Sequence, residues 1–231
     1  MSDIFGIKKI AEIKNGFSEK FGIPRQSGLC SSVKAQIIFE PEYRIAEAFR
    51  DLEGFSHIWL IWQFSETARE NWSPTVRPPR LGGNKRIGVF ATRSPFRPNP
   101  IGLSCVKLDS IEFDSKLGPV LNISGADLMN GTPIYDIKPY IPYADCIPQA
   151  SSGFLTEKPK AVLETVVPDN IACTLDGEIL NSISEIIRQD PRPAYQNDSE
   201  RIYKMSYAGY CVSFKVADGK AFVTDIFKEK L

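Results

Sequence analysis

The sequence predicts a mainly β protein, a barrel or sandwich over about residues 1–145, followed by a small α+β unit over about residues 160–231. Three observations predict it. Short apolar segments recur between turn residues through the first part, a pattern that favours stacked or closed strands over alternating strands and helices. Pro, Ser, Ala and Gly cluster between Pro142 and Pro159, where periodicity disappears. Beyond that stretch one helical pattern stands among strand-like ones. With 231 residues, 42% of them hydrophobic, the chain can bury one sizeable core and still carry a smaller second unit.

In chain order the candidate strands are Phe5 to Ile13, Val33 to Phe39, His57 to Phe64, Ile87 to Ala91, Leu103 to Phe113, Val120 to Ser124 and Ile134 to Pro139. Tyr43 to Leu52 is read as a helix, because Ile45, Ala46, Phe49 and Leu52 share helical spacing and Gly54 follows as a stop. In the tail, Ala161 to Val167 reads as a strand. Ile179 to Arg188 reads as a helix with Ile179, Ile183, Ile186 and Ile187 on one face. Arg201 to Tyr207, Tyr210 to Val216 and Ala221 to Phe227 alternate like strands. Asp218-Gly219 between the last two is a hairpin signal, since both positions of a tight turn need positive φ.

Formal charge is zero, with 28 basic and 28 acidic residues, which alone argues against a polyanionic partner. The distribution argues the other way. Between Asn71 and Leu108 there is no Asp or Glu, yet the segment holds Arg77, Arg80, Lys85, Arg86, Arg93, Arg97 and Lys107. The rest of the chain then has 21 basic against 28 acidic residues, a net of −7. One concentrated cationic segment on a neutral protein suits a local anionic partner, and a set of solvated loop arginines is the plain alternative.

Several chemistries are excluded. The single histidine, His57, rules out His-rich metal sites, and at the start of an apolar strand it reads as a core or edge residue bonded to backbone rather than as a catalytic base. Cys30, Cys105, Cys146, Cys173 and Cys211 are widely spaced and odd in number, as expected of reduced thiols in a cytoplasmic protein with no metal knuckle. No Gly-x-Gly occurs, so the Rossmann glycine loop is missing, as is a phosphate-binding Gly-x-x-x-x-Gly-Lys. The longest apolar run, Ile58 to Trp62, is too short to span a bilayer, and no membrane partner is expected.

The densest stretch is Arg77 to Ser104. Pro95, Pro98 and Pro100 fix φ and stiffen a loop that carries Arg93 and Arg97, with Thr92, Ser94 and Asn99 beside them. Rigid guanidinium groups among short polar side chains suit carboxylate, hydroxyl or phosphate ligands. A Pro-rich loop that only caps a barrel, or Arg77-Pro-Pro-Arg80 as a polyproline ligand for a protein module, are the other readings. Phe90, Phe96, Trp59, Trp62 and Trp72 are read mostly as core, with stacking on RNA bases as the alternative for some of them.

The string Gly88-Val-Phe-Ala-Thr-Arg-Ser-Pro-Phe-Arg-Pro-Asn-Pro-Ile-Gly102 closely resembles the TsaA-like family, the tRNA adenine-37 N6-methyltransferases. So do Leu52 to Phe64, Pro24-Arg25-Gln26, Gly131-Thr132-Pro133, Asp136 to Tyr140 and Asp190 to Tyr195. The resemblance runs over nearly the whole chain. It implies a β-barrel methyltransferase outside the Rossmann class, using S-adenosylmethionine, working as a homodimer, and methylating N6 of threonylcarbamoyl-adenosine-37 in a threonine tRNA. It implies cofactor contacts at Pro24, Arg25, Gln26, Arg93, Leu103 and the Gly131-Thr132-Pro133 turn. Ser65-Glu66 and Asn130 fall at further cofactor positions but depart from the family, which has a His-Gln pair and an Asp there.

Methyl transfer from a sulfonium needs alignment and water exclusion more than activation, and the flanked N6–H needs only a modest base. Asp136 and Tyr140 are the candidates for that base, with Asp136 pairing structurally to Lys138 as the alternative. Arg93 is the candidate anchor for a carboxylate. Arg77, Arg80, Arg86, Arg97, Lys138, Arg192 and Tyr195 are candidates for contact with tRNA. A non-catalytic RNA-binding barrel is the rival reading.

Overall fold

The computed structural model describes residues 5–65, 71–78, 85–155, 163–193, 196 and 198–229. Strands β1 (Ala11–Asn15), β2 (Lys34–Phe39) and β3 (His57–Gln63) come first, then a two-stranded ribbon of β4 (Thr75–Val76) and β5 (Ile87–Gly88). β6 (Ile101–Asp114), β7 (Gly118–Ser124) and β8 (Pro133–Pro139) complete the first part. Six of these close a barrel in the order β1-β2-β7-β6-β3-β8, and Ala11 opposite Ile134 joins the two ends. Closure leaves no free sheet edge.

Alternation decides which side chains fill the barrel. Ile13, Ile37, Ile58, Leu60, Leu121, Ile123 and Ile134 are fully buried. On β3 the inward set is Ile58, Leu60 and Trp62, while Trp59, Ile61 and Gln63 lie half-buried on the outer face. Trp62 lies against Gly102 of β6 so closely that a Cβ there would stand 2.2 Å from its Cε2. Only glycine fits opposite that ring.

After a short helix α1 (Pro142–Asp145), the tail forms β9 (Glu164–Val166), helices α2 (Asp169–Ala172) and α3 (Gly177–Arg188), and strands β10 (Tyr203–Tyr207), β11 (Tyr210–Ala217) and β12 (Lys220–Lys228). The sheet order is β10-β11-β12-β9, with β9 parallel to β12. Asp176 caps α3 by accepting from the Glu178 N–H at 2.8 Å. The helix buries Ile183, Ile186 and Ile187 against Met205, Val212 and Phe214. Asp218 and Gly219 both have positive φ, 50° and 73°, as the hairpin signal requires.

This second core is not made by the tail alone. Phe17, Cys30 and Val33, from the connection between β1 and β2, belong to it. Gly16 abuts the β10–β11 turn, where an added Cβ would lie 2.8 Å from Tyr207 Cε2, and the Ala208 N–H donates to the Gly16 carbonyl at 2.8 Å. Glu185 of α3 accepts from the Ser32 N–H at 2.7 Å.

Four local expectations need correction. Tyr43 to Leu52 is not a helix but part of three 3-10 turns, Pro41–Tyr43, Ala46–Phe49 and Leu52–Gly54. Ile45 and Arg50 are extended and Asp51 is left-handed, and of the apolar positions only Phe49 is buried, edge-on to Phe39 at 4.7 Å. A short helix without an apolar face to bury is not stable. Residues 5–10 are largely exposed and lie outside β1. The strand at Ile87 stops at Gly88, because Val89–Ala91 turns to bury Val89. His57 is exposed, and its Nδ1 meets the Ser56 hydroxyl at 2.9 Å instead of backbone.

Among the described residues no helix is long and apolar enough to cross a membrane, and no group of three or more His, Cys, Asp or Glu is placed to hold a metal ion.

Candidate functional site

The cationic segment leaves the barrel at Gln63 and returns at Ile101, and these two residues are partners in the β3–β6 ladder. The excursion is therefore rooted at one end of these two barrel strands, and 64–65, 71–78 and 85–100 are its described residues. Its fold is held by short-range bonds: Phe64 N–H to the Pro100 carbonyl (3.0 Å), Ser73 N–H to Phe96 (3.1 Å), Val89 N–H to Pro74 (3.0 Å) and Thr92 Oγ1 to Val89 (2.8 Å). Arg97 Nη1 donates to the Thr92 carbonyl at 2.7 Å, so the loop fixes this arginine as its prolines suggest. Arg86 donates to Thr75 Oγ1 at 3.0 Å, and Arg77 is exposed just past β4. Arg80 and Glu66 lie outside the described residues, as does Tyr195 of the tail.

Arg93 reaches across to the β1–β2 connection, where its Nη1 donates to Gln26 Oε1. Arg25, next in line after the buried Pro24, donates through Nη2 to the carbonyls of Asp190 (3.2 Å) and Arg192 (3.1 Å). Arg192 in turn chelates the Asp190 carboxylate at 2.7 and 2.9 Å. Three sequence-distant segments, expected separately to hold cofactor or RNA, are thus tied into one bonded cluster.

The carboxyl of Asp127 joins this cluster and was not foreseen. The Trp62 indole N–H donates to Ser104 Oγ at 3.0 Å, and Ser104 donates to Asp127 Oδ1 at 2.6 Å. Burial pushes the Asp127 pKa up, while the Ser104 hydroxyl, backbone N–H groups that include that of Ser27, and the nearby Arg93 charge pull against it. A signal existed in the sequence: Asp127 is an acidic residue within the stretch Leu117 to Ile134, which has no Lys or Arg.

The Gly131-Thr132-Pro133 turn sits at the same end of the barrel. The Gly131 N–H donates to the Ile13 carbonyl (2.8 Å) and the Ile13 N–H to the Thr132 carbonyl (3.2 Å). The buried Thr132 spends its hydroxyl on the Met129 carbonyl at 2.7 Å. Gly131 has φ 78°, the left-handed conformation that glycine adopts without strain, with open space where a Cβ would stand. Asn130 accepts from the Asn15 N–H at 3.1 Å, which engages it in joining the turn to β1. Ser65 lies at the end of β3, bonded through its N–H to the Gln63 carbonyl at 2.9 Å.

Leu103 is 55% exposed on the outer face of β6, opposite Ile61, whose other neighbour is Asp136 of β8. Asp136 pairs with Lys138 at 2.9 Å and accepts from the Ile137 N–H at 2.9 Å. Tyr140 is not brought near Arg93. Its N–H bonds to the His57 carbonyl at the opposite end of β3, roughly 20 Å from Gln63 at about 3.3 Å per residue. Trp62 is buried in the barrel core as expected, but Trp59 lies half-buried on the outer face beside Tyr140, and Trp72 and Phe90 are exposed.

Two family models match the chain: the tRNA-methyltransferase O N-terminal domain over residues 12–146 and the TrmO C-terminal domain over residues 171–229. A tRNA (adenine(37)-N6)-methyltransferase of Escherichia coli K12 is 40% identical over 222 residues, 93% of this chain and 94% of the relative. One of Eikenella corrodens is 48% identical over 171 residues, 74% of this chain and 96% of the relative. A crystal structure of TrmO from Pseudomonas aeruginosa superposes with a TM-score of 0.80 at 29% identity, covering 97% of this chain and 98% of that one. The closed six-strand barrel, the cationic loop rooted in it and these likenesses together place the chain in the tRNA-methyltransferase O family.

Proposed function

We propose that this protein transfers a methyl group from S-adenosylmethionine to N6 of adenosine-37 in the anticodon loop of a transfer RNA. The relatives named for that reaction support the reading, and the observation that carries it is Arg93, bonded to Gln26 near the half-buried Asp127 and drawn from a segment, Asn71 to Leu108, without Asp or Glu. The donor set suits such a cofactor. A guanidinium meets a carboxylate, a carboxyl group meets a cationic centre, and the exposed Leu103 with Ile61 gives apolar surface to a flat base.

The cofactor supplies a methyl group already activated on a sulfonium. The chain's part is to align and to exclude water, which is worth roughly 7 to 11 kcal/mol when reactants are held in attack geometry. Arg93 and Gln26 orient the carboxylate end, with Arg25 bracing them from the tail. The open backbone at Gly131 receives the polar body. Asp136, on the same outer face as Leu103, accepts the proton that leaves N6 as the N–C bond forms. Tyr140 takes no part. Arg77, Arg86 and Arg97 meet the RNA phosphates. The substrate base is threonylcarbamoylated, in a threonine tRNA, and the enzyme acts as a cytoplasmic homodimer. The exposed Ile101 and Leu103 on the outer face of β6 support a second copy packing there.

Mass spectrometry of tRNA nucleosides from cells lacking the gene tests the reaction. The methylated form of threonylcarbamoyl-adenosine should vanish and return with the wild-type gene; its persistence would overturn the assignment. Calorimetry with S-adenosylmethionine should give a binding isotherm, and none is expected of a barrel that only binds RNA.

A further inference from the structure

We propose that Trp72, Phe90 and Arg97 form a platform on which an unpaired base of the anticodon loop stacks, a contact distinct from the Arg93 cluster and resting on the tRNA reading above. Trp72 is 48% and Phe90 71% exposed, although both are large apolar rings. They are not splayed at random: the ring centroids lie 6.1 Å apart with planes 26° from parallel, and the Arg97 guanidinium stands 5.9 Å from the centre of Phe90. Two stacked rings with a cation over one of them form a π–cation column to which a further flat ring can be added.

The backbone beneath holds this column rigid. Val89, buried at 1%, pins the turn that carries Phe90, and the Val89 N–H bonds to the Pro74 carbonyl two residues from Trp72. The Ser73 N–H bonds to the Phe96 carbonyl, next to Arg97, and Arg97 is held by the Thr92 carbonyl. Trp72, Phe90 and Arg97 are therefore positioned before any ligand arrives, which lowers the entropy lost on binding.

Charge selects the occupant. Arg77, Lys85 and Arg86 belong to the same segment, which has no acidic residue between Asn71 and Leu108, and Arg86 is bonded to Thr75, three residues after Trp72. An apolar protein patch has no use for that charge, whereas a single-stranded nucleic acid supplies phosphates and π faces together. Stacking on aromatics with cationic tracking of the backbone is the usual means of gripping unpaired bases. Stacking is sequence-tolerant, so the platform anchors the loop while the cofactor site chooses the base.

The test measures binding of an anticodon stem-loop RNA, and of the same stem closed as a plain duplex, over a series of salt concentrations. Trp72→Ala and Phe90→Ala should each bind the stem-loop at least about fivefold more weakly, and Trp72→Phe should recover most of the loss. Their salt slopes should match wild type, whereas Arg86→Ala should reduce the slope by about one. Duplex binding and the heat of S-adenosylmethionine binding should be unchanged in the aromatic variants. Wild-type affinity for the stem-loop in both alanine variants overturns the platform while leaving the methyltransferase reading intact. Failure of wild-type protein to bind the stem-loop overturns both.

Discussion

Replacing Ser104 with Ala tests whether the barrel interior holds the site together. Ser104 is 1% exposed, and its single hydroxyl accepts from Trp62 at 3.0 Å and donates to Asp127 at 2.6 Å. The substitution removes a hydrogen bond to a carboxyl group, at about 1.5 to 3 kcal/mol, and strands a buried indole N–H, at about 1 to 3 kcal/mol. The two effects share one group and do not simply add, so a net loss of about 2 to 4 kcal/mol is expected. For a chain of this size each kcal/mol moves the melting temperature by roughly 2 to 4 °C, giving a fall on the order of 5 to 15 °C. Calorimetric melting with parallel tryptophan fluorescence reads it. Asp127→Asn keeps an acceptor for Ser104 and should melt distinctly higher than Ser104→Ala. A Ser104→Ala protein that melts within about 1 °C of wild type would refute the connected chain from Trp62 to Asp127.

Arg93→Ala should weaken S-adenosylmethionine binding at least about tenfold, from the 1.5 to 3 kcal/mol of a charged hydrogen bond; unchanged calorimetric affinity removes Arg93 from the cofactor site. Burial disfavours the charge on Asp109, but hydrogen bonds from Ser124, Lys34 and Lys107 overcome it and hold the carboxyl at about 2. Its folded pKa lies below the unfolded value of about 3.9, so its stabilisation is present above pH 4 and is lost as pH falls towards 2. Asp109→Asn should cost about 1 to 2 kcal/mol at pH 7 and almost nothing at pH 2, and a pH-independent difference in denaturation midpoint would contradict this. Burial, aided by the Glu185 charge, pushes the Cys30 thiol up to about 12, and its S–H points to the Glu185 carbonyl at 3.7 Å. A thiol reagent at pH 8 should label the exposed Cys146 and Cys173 first and Cys30 only on unfolding; early labelling of Cys30 in peptide maps would count against its burial.

Strands with one buried face were legible, because period-two alternation survives in β3 and in the first half of β6 and sets which side chains point inward. α3 was legible for the same reason at helical period, down to Ile183, Ile186 and Ile187. Tyr43 to Leu52 misled because spacing alone says nothing about what is available to cover a face: Phe49 is buried, Leu52 only half-buried, and Ile45 and Ala46 are exposed. The arginines of the loop and Pro24-Arg25-Gln26 were visible as motifs, but their union through Gln26 and the tail carbonyls was not. Asp127 was hidden because its partner Ser104 is 23 positions away and Trp62 lies 42 positions from Ser104. Trp72 and Phe90 read as core because aromatics on strands usually are; Trp72 instead precedes a two-residue strand and Phe90 stands in the turn after another.

Phe17, Cys30 and Val33 complete the hydrophobic core under α3, and the same stretch of chain carries Arg25 and Gln26 between them. The loop that carries Arg25 and Gln26 is therefore moulded by strands synthesised some 170 residues later, at Tyr203–Tyr207 and beyond. During translation the barrel strands can pair while this loop still lacks its footing. A ribosome-bound chain halted before β10 should thus hold a formed barrel while the stretch from Phe17 to Val33 still lacks the core that seats it.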